Sequence, residues 1–481
     1  MLSDAQQTLL DTYAPNDLLV LAKFFRDTTP DVHPIHNSFV VWNGKRWENQ
    51  RRIPTRCFET ARDNVYSTAQ TVTDPALKTS LETAAKKFAN THTRHIVEFY
   101  RGLFSQDFTA LDTNPDIINT QNCIVKLDTG EAIPHNRKYL LTQMAPIDYD
   151  PDTKQPKTWL NYLNDVFDSN TDLIDYIQKL TGYILTGGIA EQKMFYLLGK
   201  SGANGKSVFL DTLQNILGDY ATTADSSVFT KNTLQIRNDI ARLRGKRLVV
   251  LNELTDDARM DETAIKRITG GDIMTARFLN QETFEFVPSC KIVIASNYQF
   301  ADTGTTAFWR RVRVVRFDVS FLGRENKSLK SELRAEYNQI FTWMVQGAVR
   351  YYIEGLNDIT DVVHATKTMH AAMSPIRRFV EETCYVGAER RFVTKIQLYT
   401  AYMAWCEAHD EPVEGKIVFG RHLKRQFAYL REEHHNNQRC WRHIQLRSDA
   451  AVRTSFNPAD HIIAEADFEA TAKLLQLDSA V

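Results

Sequence analysis

Between Gly199 and Ser207 the chain reads GKSGANGKS, a run of small residues that ends in a lysine and a hydroxyl where an apolar-periodic segment begins. Holding a phosphate at a helix start requires backbone N–H groups that can point at oxygen, small residues that let the chain turn, and a cation. Gly202, Ala203, Asn204 and Gly205 supply the turn, Lys206 the charge, and Ser207 a hydroxyl for magnesium. The usual spacing is a glycine, four residues, then Gly-Lys-Ser, whereas five residues separate Gly199 from Gly205. Either the loop carries one extra residue or Lys200 stands in the first glycine's place.

A phosphate cradle alone hydrolyses nothing; an acid must orient the attacking water while a metal spreads charge over the phosphoryl oxygens. KRLVVLNEL puts Glu253 at the end of a strand, with Asn252 where many such enzymes carry Asp, which shifts metal-side work toward Ser207 and water. KIVIASN ends a further strand at Asn297, whose amide can hold that water or touch the γ-phosphate. TAFWRRVRVVRF sets Arg310 and Arg311 before an edge strand, where a guanidinium can reach a neighbouring subunit's γ-phosphate. Taken singly, each piece has a plainer reading: a strand-end acid in solvent, an asparagine turn, a local salt bridge. The strand, loop and helix order around them favours the phosphate chemistry.

The elements that must position these residues follow from pattern. MFYLL, RLVVL, KIVIAS and RVRVVRF read as short buried strands, and KSVFLDTLQNIL and DETAIKRIT as helices, an alternation that predicts an α/β sheet with helices on its faces. LKSELRAEYNQIFTWMVQGAVRYY reads as one long amphipathic helix with a core-facing stripe. Upstream, FVVW is a strand, TSLETAAKKFANTHTRHIVEFYRGLF is helical, and LDTGE joins CIVKL and EAIP as a hairpin. Downstream, PIRRFVEETC and KIQLYTAYMAWCEAH are helices before a short strand pair, the pattern of a small winged-helix-like module, and an acid-rich tail follows from about 448. The division is therefore 1–150, a mixed α/β N-terminal domain, 151–355, the nucleotide domain, and 356–481, the winged-helix-like domain with its tail.

A net charge of −1 excludes a globally basic nucleic-acid coat but not a local basic patch or channel. The six cysteines stand singly with no CxxC pair, which points to a reducing compartment and away from zinc. MLSDAQQTLL lacks the basic start and apolar core of a signal peptide, and no apolar run approaches a membrane span, so a cytoplasmic protein is expected.

In order, GANGKS, LVVLNE, ITGGDIMTARFLNQETFEFVPSCKIVIASN and FWRRVRVVRF resemble the Walker A, Walker B, B′, C and arginine-finger motifs of superfamily 3 helicases. The resemblance is to the helicase part of phage and plasmid primase-helicases, and is similar to the poxvirus primase-helicase. TNPDIINTQNCIVKLDTGE and YIQKLTGYILTGGIAEQKMFYLLG resemble the region preceding the ATPase in that family. The resemblance implies an AAA+ type P-loop ATPase core, a hexameric ring, ATP with Mg2+ hydrolysed between subunits, and 3′ to 5′ translocation on single-stranded DNA. It implies phosphate and magnesium binding by Lys206 and Ser207, catalysis by Glu253, sensing by Asn297, and action in trans by Arg310 or Arg311.

GGDIMTARFLNQETFEFVP reads as a hairpin that would project into a ring's channel, with Arg277, Asn280 and Gln281 to touch DNA; a plain surface hairpin is the alternative. From Lys416 to Arg447 basic residues interleave with Phe419, Phe427, Tyr429 and Trp441 against only Glu432 and Glu433, a pattern that could track a phosphate backbone or form a solvated face. His434 and His435 fall in an expected loop. The paired acids Asp148 and Asp150 lack the histidine and basic cluster of a polymerase site. The sequence thus predicts an ATP-hydrolysing replicative DNA helicase of a phage, prophage or plasmid, working in a bacterial cytoplasm without a primase domain of its own, with a separate primase or initiator as partner. A DNA-binding initiator, or a regulatory or defence ATPase that remodels or loads partners without unwinding, is the second reading.

Overall fold

A computed structural model describes residues 3–447 apart from short stretches, the longest being 104–110, 230–236, 253–259 and 298–305. The chain forms two compact units. The first comprises Met1–Leu254, Asp261–Asn297 and Val315–Ile359; the second comprises Thr255–Met260, Tyr298–Val314 and Thr360–Val481.

The first unit is built around a sheet to which it gives four strands and the last two residues of a fifth. Its strands are β1 (Met194–Leu198), β2 (Ala221–Ala224), β3 (Leu248–Asn252), β4 (Lys291–Ser296) and β5 (Val312–Arg316), in the order β5-β1-β4-β3-β2. β1, β4, β3 and β2 run parallel, with Val293 opposite both Phe195 and Val250. Four residues of β1 and the first four of β4 are buried, as strands covered on both faces require. Four of these strands match the sequence expectation; β2, ATTA, does not announce itself, because an edge strand with two threonines has neither an apolar run nor clean alternation.

Two cations close the foot of the sheet. Arg247, 3% exposed, donates from its guanidinium to the carbonyls of Pro115 (2.8 Å), Ile117 (3.0 Å), Asn114 (3.2 Å) and Leu185 (3.3 Å). Lys291, the first residue of β4, donates to the carbonyl and hydroxyl of Thr186. Arg247 stitches the segment around residues 114–117 to the start of β3, Lys291 ties the end of the helix Thr171–Leu185 to the start of β4, and each buried charge meets carbonyl or hydroxyl oxygens.

The expected single helix after the sheet is two, Leu329–Ala335 and Tyr337–Glu354. Glu336 breaks it because its carboxylate caps a distant helix, α1 (Lys157–Val166), accepting from Thr158 N (2.9 Å), Thr158 Oγ1 (2.8 Å) and Trp159 N (3.1 Å). The apolar stripe is core as read: Leu333, Ile340, Phe341, Met344 and Val345 are buried. Tyr337–Glu354 packs along α2 (Thr171–Leu185) so closely that a Cβ on Gly182 would collide with the Ala348 backbone, and one on Gly347 with the Gln178 carbonyl. Ion pairs fasten the rim of this contact, Arg350 Nη2 to Asp175 Oδ2 at 3.0 Å and Lys179 Nζ to Glu354 at 3.2 Å.

Upstream in the same unit, four helices (Leu18–Thr28, Thr55–Gln70, Pro75–Lys87 and Thr93–Gly102) enclose a core of Leu21, Phe25, Val65, Leu81, Ile96 and Tyr100. The Ser38–Trp42 strand pairs antiparallel with its neighbours on both sides. The CIVKL and EAIP hairpin forms as expected, Ile124 opposite Ile133. Asp150 Oδ1 accepts from Asp152 N, a turn-forming bond, and the backbone N–H of Asp148 donates to Asn338 Oδ1.

The second unit contains helices Thr360–Ala372, Pro375–Thr383, Lys395–Ala408 and Lys416–Gln426, a sheet of Phe392–Thr394, Gln438–Arg442 and Arg431–His435, and a strand pair of Cys384–Val386 with Ile444–Leu446. Here the reading of interleaved aromatics is corrected. Phe419, Phe427 and Trp441 are core residues packed with Phe379, Tyr402 and Trp405. Glu432 takes up Lys424 and, from outside the stretch, Lys395, and Glu433 takes up Arg442, so both acids of the stretch are engaged locally. His434 and His435 belong to a strand, not a loop, and the His435 ring stacks on Phe392 at 4.7 Å. No helix among the described residues is long and apolar enough to cross a membrane.

The glycine contact between α2 and Tyr337–Glu354 gives a direct expectation. Gly347→Ala should destabilise the protein by roughly 2 kcal/mol or more through overpacking against backbone that has no rotamer to yield. The urea midpoint measures it, and a midpoint equal to the parent's would refute the close approach.

Candidate nucleotide site

The loop at 199–207 leaves β1 and enters α3 (Lys206–Leu217). Gly205 sits at its N-cap with φ 89°, a left-handed conformation open to glycine, and Ala203 is also left-handed at φ 56°. Two supports fix the loop. On one side α1 packs against it: Tyr162 Oη donates to the Gly205 carbonyl (2.9 Å), and a Cβ on Gly205 would stand 2.9 Å from Val166 Cγ2. Trp159 on the same helix stacks on Phe209 of α3 at 5.6 Å. On the other side the chain beyond β5 runs along the loop, Phe317 N donating to Leu198 O (2.8 Å) and Phe321 N to Ala203 O (2.9 Å).

Lys206 is 8% exposed, and burial holds its ammonium below the usual lysine range. Its Nζ donates to Asn297 Oδ1 at 2.7 Å and to Asn204 Oδ1 at 3.3 Å. Asn297 stands there because β4 lies beside β1, with Ser296 opposite Leu198 and Gly199 N donating to Ser296 O (3.2 Å). The lysine of one expected motif and the asparagine of another, 91 residues apart, therefore meet directly. Gly199 has no room for a side chain: a Cβ would collide with Lys206 Nζ and lie 2.8 Å from Asn204 Oδ1. Gly202 and Ser207 are exposed at the loop mouth.

This arrangement fits a phosphate. Backbone N–H groups at the start of a 12-residue helix and a desolvated ammonium held by neutral oxygens converge where Ser207 is open to solvent. Ser207 can offer a hydroxyl to magnesium. Glu253 lies outside the described residues, as do Asn280 and Gln281.

Of the remaining expected residues, Arg277 is exposed just after the strand Met274–Ala276, which pairs antiparallel with Phe284–Phe286 as the hairpin reading required. Gly271 ends the preceding helix in the left-handed conformation, φ 77°. In the second unit Arg310 is exposed, whereas Arg311 is 7% exposed and donates to the Ala307 carbonyl at 2.6 Å. The turn bearing both is anchored by Trp309, stacked on His370 at 4.3 Å. Sequence reasoning missed Tyr162, Val319 and Phe321; only the aromatic periodicity of KTWLNYLNDV hinted that α1 had a face to bury.

Comparisons with known proteins bear on this geometry. Residues 20–168 match the family described as D5 N terminal like, and residues 197–311 match a family of unknown function, DUF5906. A putative primase of African swine fever virus is 24% identical over 364 residues, covering 69% of this chain but 38% of that protein. A putative helicase of Acanthamoeba polyphaga mimivirus is 29% identical over 234 residues, 46% of this chain and 24% of that one. The chain thus spans little more than a third of the length of the first of these relatives. Among solved structures, the apo NrS-1 C terminal region superposes with a TM-score of 0.50 at 11% identity, covering 89% of this chain and 98% of that one, a likeness of fold.

These matches overturn one expectation. The chain was expected to be a helicase without a primase part, served by a separate primase; the D5 N terminal like match and the long alignment with a putative primase contradict that. The search for a polymerase site rested on Asp148 and Asp150 alone; the Asp150 carboxylate holds a turn, and the lack of a basic cluster beside the pair said nothing about the rest of the chain. Nor is the resemblance specifically to phage or plasmid proteins, since the matched relatives are those of African swine fever virus, mimivirus and an iridescent virus. What stands is the match of residues 20–168 to the D5 N terminal like family, followed by a parallel-sheet core compatible with a P-loop nucleotide-hydrolysing domain.

His370 makes the arginine-bearing turn sensitive to acid. Burial, with a smaller effect from Arg377, pushes it down to about 4. An unfolded histidine titrates near ~6.5, so between these values the unfolded chain binds a proton that the folded one refuses, and stability falls as pH drops through this window. We expect the urea midpoint of the second unit's transition to fall between pH 7 and pH 5 in the parent, and to fall less in His370→Phe, which keeps the stack on Trp309.

Proposed function

We propose that this chain is the nucleotide-hydrolysing part of a D5-type primase-helicase that acts on DNA, with residues 20–168 as its primase-associated portion. The observation that carries the reading is the buried Lys206 ammonium at the start of α3, held by Asn297 from the adjacent parallel strand. In this reading ATP lies on the 199–207 loop and Lys206 binds its terminal phosphates. Ser207 and Glu253 hold Mg2+, Glu253 orients water, and Asn297 exchanges its lysine contact for the γ-phosphate or the water. The core is of AAA+ type, 151–355 is the motor, 1–150 the associated N-terminal part, and 356–481 a winged-helix-like domain.

The assembly proposed is a ring of identical subunits, a hexamer, in which Arg310 reaches the neighbour's nucleotide. Exposure favours Arg310 for this; Arg311 is turned into its own helix end. The 274–286 hairpin, with Arg277, Asn280 and Gln281, is the DNA lever. The place of action is the cytoplasm.

DNA-stimulated ATP turnover and strand separation on forked DNA test these roles. Lys206→Ala should lose turnover, and Glu253→Gln should bind ATP yet fail to hydrolyse it. Arg310→Ala should lose about 10³-fold or more in turnover. Arg311→Ala should act chiefly through a lower melting temperature. Arg277→Ala should keep turnover and lose strand separation. Full turnover in Lys206→Ala would sink the nucleotide reading, and equal losses in the two arginine variants at unchanged stability would sink the assignment to Arg310.

A further inference from the structure

We infer that Asn204 is a positioning residue for Lys206, tying the lysine to the segment Val319–Phe321 that follows the sheet; the inference rests on the nucleotide reading of the same loop. A turn-forming residue in such a loop contributes its backbone. Asn204 instead has a buried side chain, 3% exposed, engaged at both ends. Its Nδ2 donates to the Val319 carbonyl at 3.2 Å, and its Oδ1 accepts from Lys206 Nζ at 3.3 Å.

The chemistry of the two partners fixes which way the carboxamide points. Turning it over would set an NH2 group against an ammonium and a carbonyl oxygen against a carbonyl oxygen, both repulsive. Phe321 N donates to the carbonyl of the preceding residue, Ala203, so the same segment holds backbone and side chain together. The missing side chain at Gly199 leaves the room that Lys206 Nζ and the Asn204 carboxamide occupy.

Lys206 therefore keeps its place before a phosphate arrives, held between two neutral oxygens. A carboxylate in either place would bind the ammonium more strongly and compete with the incoming anion. Two carboxamides pre-orient it, and phosphate has only weaker hydrogen bonds to exchange.

A double-mutant cycle on the full chain tests this, read as ATP affinity by displacement of a fluorescent ATP analogue, with AMP as the comparison because it lacks the phosphates Lys206 reaches. Asn204→Ala should weaken ATP binding about tenfold while affecting AMP much less. In a Lys206→Ala background it should weaken ATP binding no further. Asn204→Asp preserves shape and tests the idea if the alanine variant does not fold: its carboxylate should weaken ATP binding more than alanine does, with affinity recovering as pH falls toward the carboxyl range. Equal losses for ATP and AMP, an effect that adds to that of Lys206→Ala, or unchanged ATP affinity in the Asn204 variants would each overturn the inference. Unchanged ATP affinity in Lys206→Ala alone would instead overturn the nucleotide reading, and the inference with it.

Discussion

Positive charge buried against neutral oxygen organises the sheet-bearing unit at both ends. At the foot, the Arg247 guanidinium is spread over four backbone carbonyls and Lys291 over a carbonyl and a hydroxyl, so each cation is answered by groups that would themselves be costly to bury alone. At the head, Lys206 has two carboxamide oxygens among the described residues, while an ammonium has three hydrogens to give. The Ser289 carbonyl at 3.5 Å gives Lys291 a third oxygen, which Lys206 lacks among the described residues. On the proposed reading that third position is where phosphate enters, and the site depends on the strand order that brings β4 beside β1.

How much of this was legible follows from where each signal lies. The phosphate loop, four of the five sheet strands and the 274–286 hairpin are local patterns, read from residues a few positions apart. The break at Glu336 was not legible, because glutamate is a good helix former and its reason for breaking the helix lies at Thr158, 178 residues upstream. The aromatics between 419 and 441 were misread for a related reason. Interleaving with basic residues is what a nucleic-acid surface shows, but it is also what a small domain shows when its short helices and strands turn one face inward. The partnership of Lys206 with Asn297 was legible as two motifs, not as a contact, since parallel strands give no register in sequence.

The matched relatives sharpen what kind of evidence each region offers. The D5 N terminal like match ends at residue 168, within the turn that follows α1, and α1 is the helix whose Tyr162 holds the phosphate loop. The family boundary therefore does not coincide with a physical one. The N-terminal portion and the sheet share Arg247, α1 and Glu336, and a function assigned to either has to be considered with the other.

The supports of the phosphate loop have a consequence for how the protein is made. Asn204 leans on Val319, 115 residues further along, and α1 is capped by a carboxylate 178 residues beyond it. Contacts so distant in sequence are costly to close and form late. A nascent chain leaving the ribosome has the loop's glycines and lysine outside the exit tunnel before the residues that shape them are made. On the proposed reading, competence to bind nucleotide arrives near the end of the unit's synthesis, when the segment after β5 and then Glu336 emerge.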